Sequence, residues 1–317
     1  MATITTDIDR PAKKDKGRFW HIMLQQRYLY LMSIPFLIWA FVFNYLPLWG
    51  WTMAFQKFRP GRSFFDQEWV GFDQFRMLFA DPTFYLVMRN TLAMSFLSLI
   101  AGFTIPILFA ILLNEVRQMA MKRFVQTVSY LPHFVSWVVV AGIVTKMLAT
   151  DGTINNLLIS IGLIDQPIQY MAKGNLFWYI ITGADLWKEM GWNAIIYLAA
   201  IAGIAPDLYE AARVDGANRV QQIWHITLPG IRPTIIILLI ISIGHLTSIG
   251  FEKQFLLGNP LVSDYSQVLD LYALDYGLNM GRFSFGTAIN MFNSVISIIL
   301  LLVTNGVFRR MTKESVF

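Results

Sequence analysis

The chain has 317 residues, 56% of them hydrophobic and only 14% charged, with a formal net charge of +5 at pH 7. Its length would admit one large or two small soluble domains, but its apolar residues come in long runs separated by short polar segments, which excludes a conventional soluble enzyme. Cysteine is absent, so disulfides, thiolate metal sites and cysteine nucleophiles are excluded as well.

In chain order, residues 1–27 form a basic leader with Arg10, Lys13, Lys14, Lys16, Arg18 and Arg27. Around Phe19–Leu24 aromatic and aliphatic side chains appear between basic ones. That pattern fits either a short interfacial helix or an extension of the first span. The first apolar run, 28–55, is too long and its leader too extended for a cleaved signal peptide. Residues 56–82 mix Gly, Pro, Phe and charge, as an ordered loop does. Runs 86–113 and 124–148 follow. Asp151-Gly152 then signals a turn before a short apolar stretch, 154–164, which cannot span and is expected to lie on the surface. The fourth run, 176–204, is interrupted by polar residues, and the segment 205–230 leads into the fifth, 231–251. Asn259-Pro260 opens a further outer segment, with helical periodicity over 266–278. The last run is 285–308, and 309–317 is a basic tail.

Each of these runs is near or above the ~20 residues a helix needs to cross roughly 30 Å of hydrocarbon. No alternating barrel-type pattern is visible. The expected fold is therefore all-α and polytopic, with six transmembrane helices over 28–308 between two short tails. The segments between them leave no room for a soluble catalytic domain. Basic residues crowd the leader, the segment after the second run (Arg117, Lys122, Arg123), the 205–230 loop and the residues just after it (Arg213, Arg219, Arg232) and the tail (Arg309, Arg310, Lys313). The opposite side holds fewer. The positive-inside rule then puts both termini and the 205–230 loop in the cytoplasm. Topology accounts for the basic leader more economically than nucleic-acid binding does.

Within the fourth run, Asp185, Lys188, Glu189, Trp192 and Asn193 lie where lipid penalises charge by ~2.5–3.5 kcal/mol per group. Such groups should face a wet cavity, one another, or both. Asp185 and Lys188 share a helix face, so a structural ion pair between them competes with a ligand role. A tryptophan beside hydrogen-bonding groups suits a sugar, whose ring offers a C–H face to stack and hydroxyls to bind. Lys188, Glu189, Trp192, Asn193 and, from the last run, Asn290 are the candidate substrate path; Trp187 reads more as scaffold. Asn90, Asn293, Glu252 and Lys253 are weaker candidates, since asparagines in bundles commonly bond across helices. Lys188 could balance a uronic acid carboxylate if Asp185 does not already occupy it.

The segment 210–229 reads EAARVDGANRVQQIWHITLP. A helix over 205–214 and a second over 218–225 are expected, with Gly216 at the elbow because a sharp break there resists a Cβ. Pro229 is expected to mark where the chain turns back into the bilayer. Glu210-Ala211-Ala212, three residues, Gly216, nine residues, then Ile226-Thr227-Leu228-Pro229 resembles the EAA signature of ABC-transporter permeases at every fixed position. Arg123-Phe124, Ser129–Phe134, Gly191-Trp192-Asn193, Tyr197–Ile201 and Phe251–Gln254 extend the resemblance to the maltose-type carbohydrate-uptake class, in the branch handling oligosaccharides from complex polysaccharides.

That resemblance implies one half of a permease pair in a bacterial cytoplasmic membrane, with a homologous second permease chain. Two copies of a cytoplasmic ABC ATPase and an extracytoplasmic solute-binding protein would complete the importer. Glu210 would face a basic group of the ATPase, Ala211 and Ala212 would pack on its wall, and Asp215, Gly216 and Pro229 would shape the coupling loop. Gly216 and Pro229 serve equally well to hold the loop against the bundle. Nothing in the chain resembles a phosphate-binding Gly-rich loop, a metal cluster or a nucleophile–base pair, so no cofactor is expected here and ATP with Mg belongs to the partner ATPase. Rival readings are an importer of peptides, amino acids or another small solute, and a non-transporting membrane scaffold or sensor.

Overall fold

The structure, a computed structural model, describes residues 25–312. The expected interfacial helix at 19–24 and the end of the tail beyond Thr312 lie outside those residues. The chain divides after Thr52 into two compact units.

In the first unit, α1 (Arg27–Ala40) passes into a π turn at Phe41–Tyr45 and then a 3-10 segment, Leu46–Phe55. Pro47 has no N–H to close the α-helical ladder, which accounts for the altered winding around it. No side chain of α1 is buried. A helix apolar on every side is built for lipid or for another membrane helix.

The second unit opens with a two-stranded antiparallel ribbon, β1 (Gln56–Lys57) on β2 (Glu68–Trp69), followed by α2 (Asp73–Ala80). Asp81 then caps the long α3 (Pro82–Glu115), accepting from the Thr83 N–H at 2.9 Å. Pro82 fits the first helical position because its missing N–H would be unpaired there in any case. The third run is broken: α4 (Met119–Tyr130), a 3-10 turn (Leu131–Phe134) and α5 (Trp137–Met147) form a pair bent by 103°. Pro132 and the extended backbone at Val135 and Ser136 end one ladder, and the Ser136 hydroxyl caps the next. The surface stretch forms α6 (Thr153–Ser160).

The fourth run is α7 (Gly174–Ala202), bent by 69° into α8 (Pro206–Val214). After α9 (Arg219–Gln222), a π turn at Ile223–Thr227 leads without a break into α10 (Leu228–Gly244). The chain therefore does not turn at Pro229. One continuous helix runs Arg219–Gly244, and the π turn absorbs the hydrogen bond that Pro229 cannot donate. The fifth run also ends earlier than expected. Turns cover 245–250, Gly250 sits at φ +77°, and a separate α11 (Glu252–Leu257) follows. The outer periodic segment resolves into α12 (Ser263–Ser266), α13 (Leu269–Leu274) and a π turn, Asp275–Asn279, before the final α14 (Phe283–Thr312).

Among the described residues, four helices can cross a membrane alone: Arg27–Phe55, Pro82–Glu115, Arg219–Gly244 and Phe283–Arg310; counting each bent pair as one span gives six. Helix α3 packs along α7, and α10 packs against α14. One apolar core holds Ala110, Ile111, Ala194, Tyr197, Ile201 and Ile231. Two more clusters sit around Phe84, Tyr272 and Phe285, and around Met94, Phe177 and Leu257. Gly191 makes the crossing of α7 with α4 close: a Cβ there would overlap the Ser129 carbonyl.

Candidate functional site

Polar residues of α7 meet the break in the third span. Lys188 is 6% exposed; its ammonium pairs with Glu189 Oε1 at 3.1 Å and donates to the His133 carbonyl at 2.5 Å. Glu189 Oε2 in turn lies 2.7 Å from His133 Nδ1. The His133 ring stacks parallel on Trp192 with centroids 4.2 Å apart, and Phe134 meets Trp192 edge-on. Asp185 takes a different partner from the one three residues away. Lys253 of α11 reaches its Oδ1 at 2.9 Å while lying over the Trp137 ring. The expected Asp185–Lys188 pair is thus replaced by two pairs, because the helix break offers Lys188 both a carbonyl and a carboxylate, leaving Asp185 to Lys253. Buried cations are tolerated only with such compensation.

The expected substrate residues do not form one site. Asp185, Glu189 and Asn193 line a small cavity of about 30 Å³ between α3 and α7, where the Thr182 hydroxyl is buried without a partner. Asn290 is exposed and lines a different cavity, about 540 Å³, with Ser248, Phe251, Asp270, Phe283 and Thr287. Asn293 donates to Asp270 Oδ1 at 3.1 Å. Asn90 is buried and donates to the Asp264 and Gln267 carbonyls, both at 3.0 Å, so it staples α3 to the outer segment. Glu252 and Trp187 are exposed. Sequence reasoning gave no site role to His133 or Asp270. His133 stood in the Leu-Pro-His-Phe element as part of a resemblance, and Asp270 sat in a stretch legible only as helical periodicity.

The hairpin between the fourth and fifth runs is well formed. Gly216 adopts φ +81°, the left-handed conformation that ends a helix at low cost only for glycine. The Ala217 N–H closes back on the Ala212 carbonyl at 2.8 Å. Asn218 and Gln221 form a reciprocal capping box that starts α9. Glu210, Ala211, Asp215 and Gly216 are exposed and Ala212 is half-buried. A concavity of about 300 Å³ is lined by Ala212, Asp215, Gly216, Gln221 and His225. Behind this face, Tyr209 bonds Thr227 at 2.9 Å and Arg219 reaches Glu115 at 3.5 Å. The hairpin is thereby tied to the foot of α10 and the end of α3.

Membrane-length helices with a capped, exposed helical hairpin between two of them define a multi-pass membrane protein. Residues 102–313 match the family described as binding-protein-dependent transport system inner membrane component, and the chain belongs to that family. It is 40% identical over 306 residues to the polygalacturonan/rhamnogalacturonan transport system permease protein YteP of Bacillus subtilis (strain 168), covering 96% of this chain and 95% of that one. It also resembles a chain of a bacterial ABC transporter involved in import of the acidic polysaccharide alginate, with TM-score 0.86, 41% identity, and 93% and 99% of the two chains covered. A second structure, of the bacterial alginate transporter in complex with an alginate pentasaccharide-bound periplasmic protein, matches with TM-score 0.86, 40% identity, and 94% and 100% covered.

Proposed function

We propose that this chain is the membrane-spanning permease subunit of an ABC importer that moves oligosaccharides inward by alternating access, powered by ATP hydrolysis in a partner ATPase. The observation carrying this reading is the hairpin, with its Gly216 elbow at φ +81°, its exposed acidic and small residues, and its fixed base. The polysaccharide-fragment and alginate systems among its relatives favour oligosaccharides over peptides, amino acids or a scaffold role.

In this reading a homologous second permease chain lies alongside, an extracytoplasmic binding protein delivers the sugar, and two ATPase copies hold ATP and Mg. The hairpin and both termini lie on the cytoplasmic side in this reading, which the distribution of basic residues supports. Glu210 and Asp215 set register at the rim of an ATPase groove, while Ala211 and Ala212 permit close approach. Closure of the ATPase dimer moves the hairpin. The Tyr209–Thr227 and Arg219–Glu115 contacts pass that movement to α10 and α3. Gly216 and Pro229 hold the shape through which it passes. In this reading the sugar path passes Glu189 and Asn193 in the small cavity between α3 and α7, Lys188 and Trp192 where α7 meets the broken third span, and Asn290 in the separate larger cavity.

The test uses Gly216→Pro, which cannot reach the required φ, and Glu210→Lys, which reverses the docking charge. Both should abolish oligosaccharide uptake and transport-coupled ATP hydrolysis while the chain remains inserted at normal abundance. Normal uptake and coupled hydrolysis in both variants would overturn the coupling role.

A further inference from the structure

The larger cavity differs in charge from what the acidic-saccharide relatives would lead one to expect. It lies between the turn after α10, α13 and the outer half of α14. Its polar lining is Ser248, Asp270, Thr287 and Asn290, and its aromatic lining is Phe251 and Phe283. Among the described residues none that lines it is a lysine, arginine or histidine. Its volume of about 540 Å³ falls within the roughly 300–1,000 Å³ of small-molecule sites.

The Asp270 carboxylate is held in position. Its Oδ2 accepts from the Gly250 N–H at 2.7 Å and its Oδ1 from the Asn293 amide at 3.1 Å. Each oxygen keeps a lone pair for a further donor. Such a carboxylate can accept hydroxyl hydrogen bonds, and Asn290 can both donate and accept. Two phenylalanine rings offer faces for the C–H side of a sugar ring. Of the cations next to lining residues, Lys253, two positions after Phe251, is committed to Asp185, and Arg282, beside Phe283, lies over the Tyr276 and Phe285 rings; the small cavity beside α7 is itself lined by Asp185 and Glu189.

Building on the oligosaccharide-importer reading, we propose that the Asp270–Asn290 cavity is a saccharide subsite that accepts neutral sugars and rejects uronates by like charge. A uronate there would meet a fixed carboxylate with no lining cation to offset it. Specificity of this kind comes from the repulsive element, not from added contacts with the favoured ligand.

The test exploits the absence of cysteine. Ser248→Cys places one thiol at the cavity wall of the assembled transporter in nanodiscs. Its modification by cationic (trimethylammonium) and anionic (sulfonate) ethyl methanethiosulfonates is compared with that of a free thiol. The cationic reagent should be favoured about five- to tenfold beyond its intrinsic advantage, and Asp270→Asn should remove that excess. This substitution is accommodated by turning over the Asn293 amide, whose Nδ2 now donates to Asp270; its Oδ1, buried without a partner, then accepts from the new amide. Neutral trisaccharides of glucose, galactose and mannose should slow modification, whereas the matching tri-uronates should not. Asn290→Ala should weaken the neutral-sugar protection and leave the reagent preference unchanged. Equal reagent rates, a preference insensitive to Asp270→Asn, protection by uronates as strong as by neutral sugars, or no protection by either would each overturn the subsite. The hairpin variants judge the importer reading separately: uptake lost in them, with no saccharide effect on the thiol introduced at position 248, would sink this inference alone.

Discussion

Asp81 shows how much one side chain at a helix start can organise. Its carboxylate accepts from the Thr83 N–H at 2.9 Å and from the Tyr272 hydroxyl at 2.6 Å, so it caps α3 and pins α13 onto it. Burial pushes its pKa upward, but the hydrogen bonds from Tyr272 and Thr83 and the charge of Arg282 outweigh that and hold it below the ordinary value of 3.8. A depressed folded pKa means stability that is present above the unfolded value and lost as pH falls through the folded one. In detergent, the melting temperature should therefore drop on acidification below about pH 4. Asp81→Ala should lower stability at neutral pH by about 1 kcal/mol and flatten that acid limb; an unchanged acid limb would exclude Asp81 as its source. The Lys188–Glu189 pair predicts more. Lys188→Met leaves the partly buried Glu189 carboxylate with His133 alone and should cost less than the roughly 3–5 kcal/mol of an unpaired buried charge, with partial recovery in Lys188→Met/Glu189→Gln. Thermal unfolding of the three proteins measures this.

At the scale of elements, the bundle depends on breaks as much as on helices. Helix α4 can lie close on α7 because Gly191 offers no side chain to the Ser129 carbonyl. Gly191→Val should separate them and lower stability by at least about 1–3 kcal/mol, the usual cost of overpacking. Gly183→Ala on the same helix has open space around it and serves as the control. If both substitutions melt alike, the close crossing carries no stability. The six apolar runs were legible because crossing hydrocarbon demands length and hydropathy, and both are written residue by residue. The hairpin was legible because glycine at a left-handed turn leaves a mark in sequence. The breaks at 131–136 and 245–250 were not, since apolar residues continue through them and periodicity blurs. The partner of Asp185 was not either: spacing pointed to Lys188, while the helix break brought in His133 and sent Lys253 to Asp185. Tertiary geometry decided between two cations that sequence treats as equal. Pro229 misled for a related reason, because a π turn can absorb a missing hydrogen bond inside a continuing helix.

For the whole molecule, orientation fixes the direction of transport. Single cysteines at Ser63, Thr153 and Ser263, all in segments assigned to the outer side, should react with an impermeant thiol reagent in intact cells. A cysteine at Asn218, in the exposed hairpin, should react only after the membrane is opened. Labelling at position 218 from outside would invert the orientation and place the hairpin beyond reach of any cytoplasmic ATPase. The many exposed apolar side chains on α1 and along α3, α10 and α14 fit a chain that completes its surface with lipid.

The cross-tie between α7 and α11 also imposes an order of events during synthesis. Asp185 enters the bilayer with α7, yet Lys253, its counter-ion at 2.9 Å, is translated only after the hairpin and the whole of α10. For that interval the nascent chain carries an acid whose neutralising base does not yet exist, a costly state in hydrocarbon. Glu189 has no such delay, because His133 precedes it and Lys188 is its neighbour. A chain stalled before residue 253 is therefore left with Asp185 lacking this counter-ion in its fourth span.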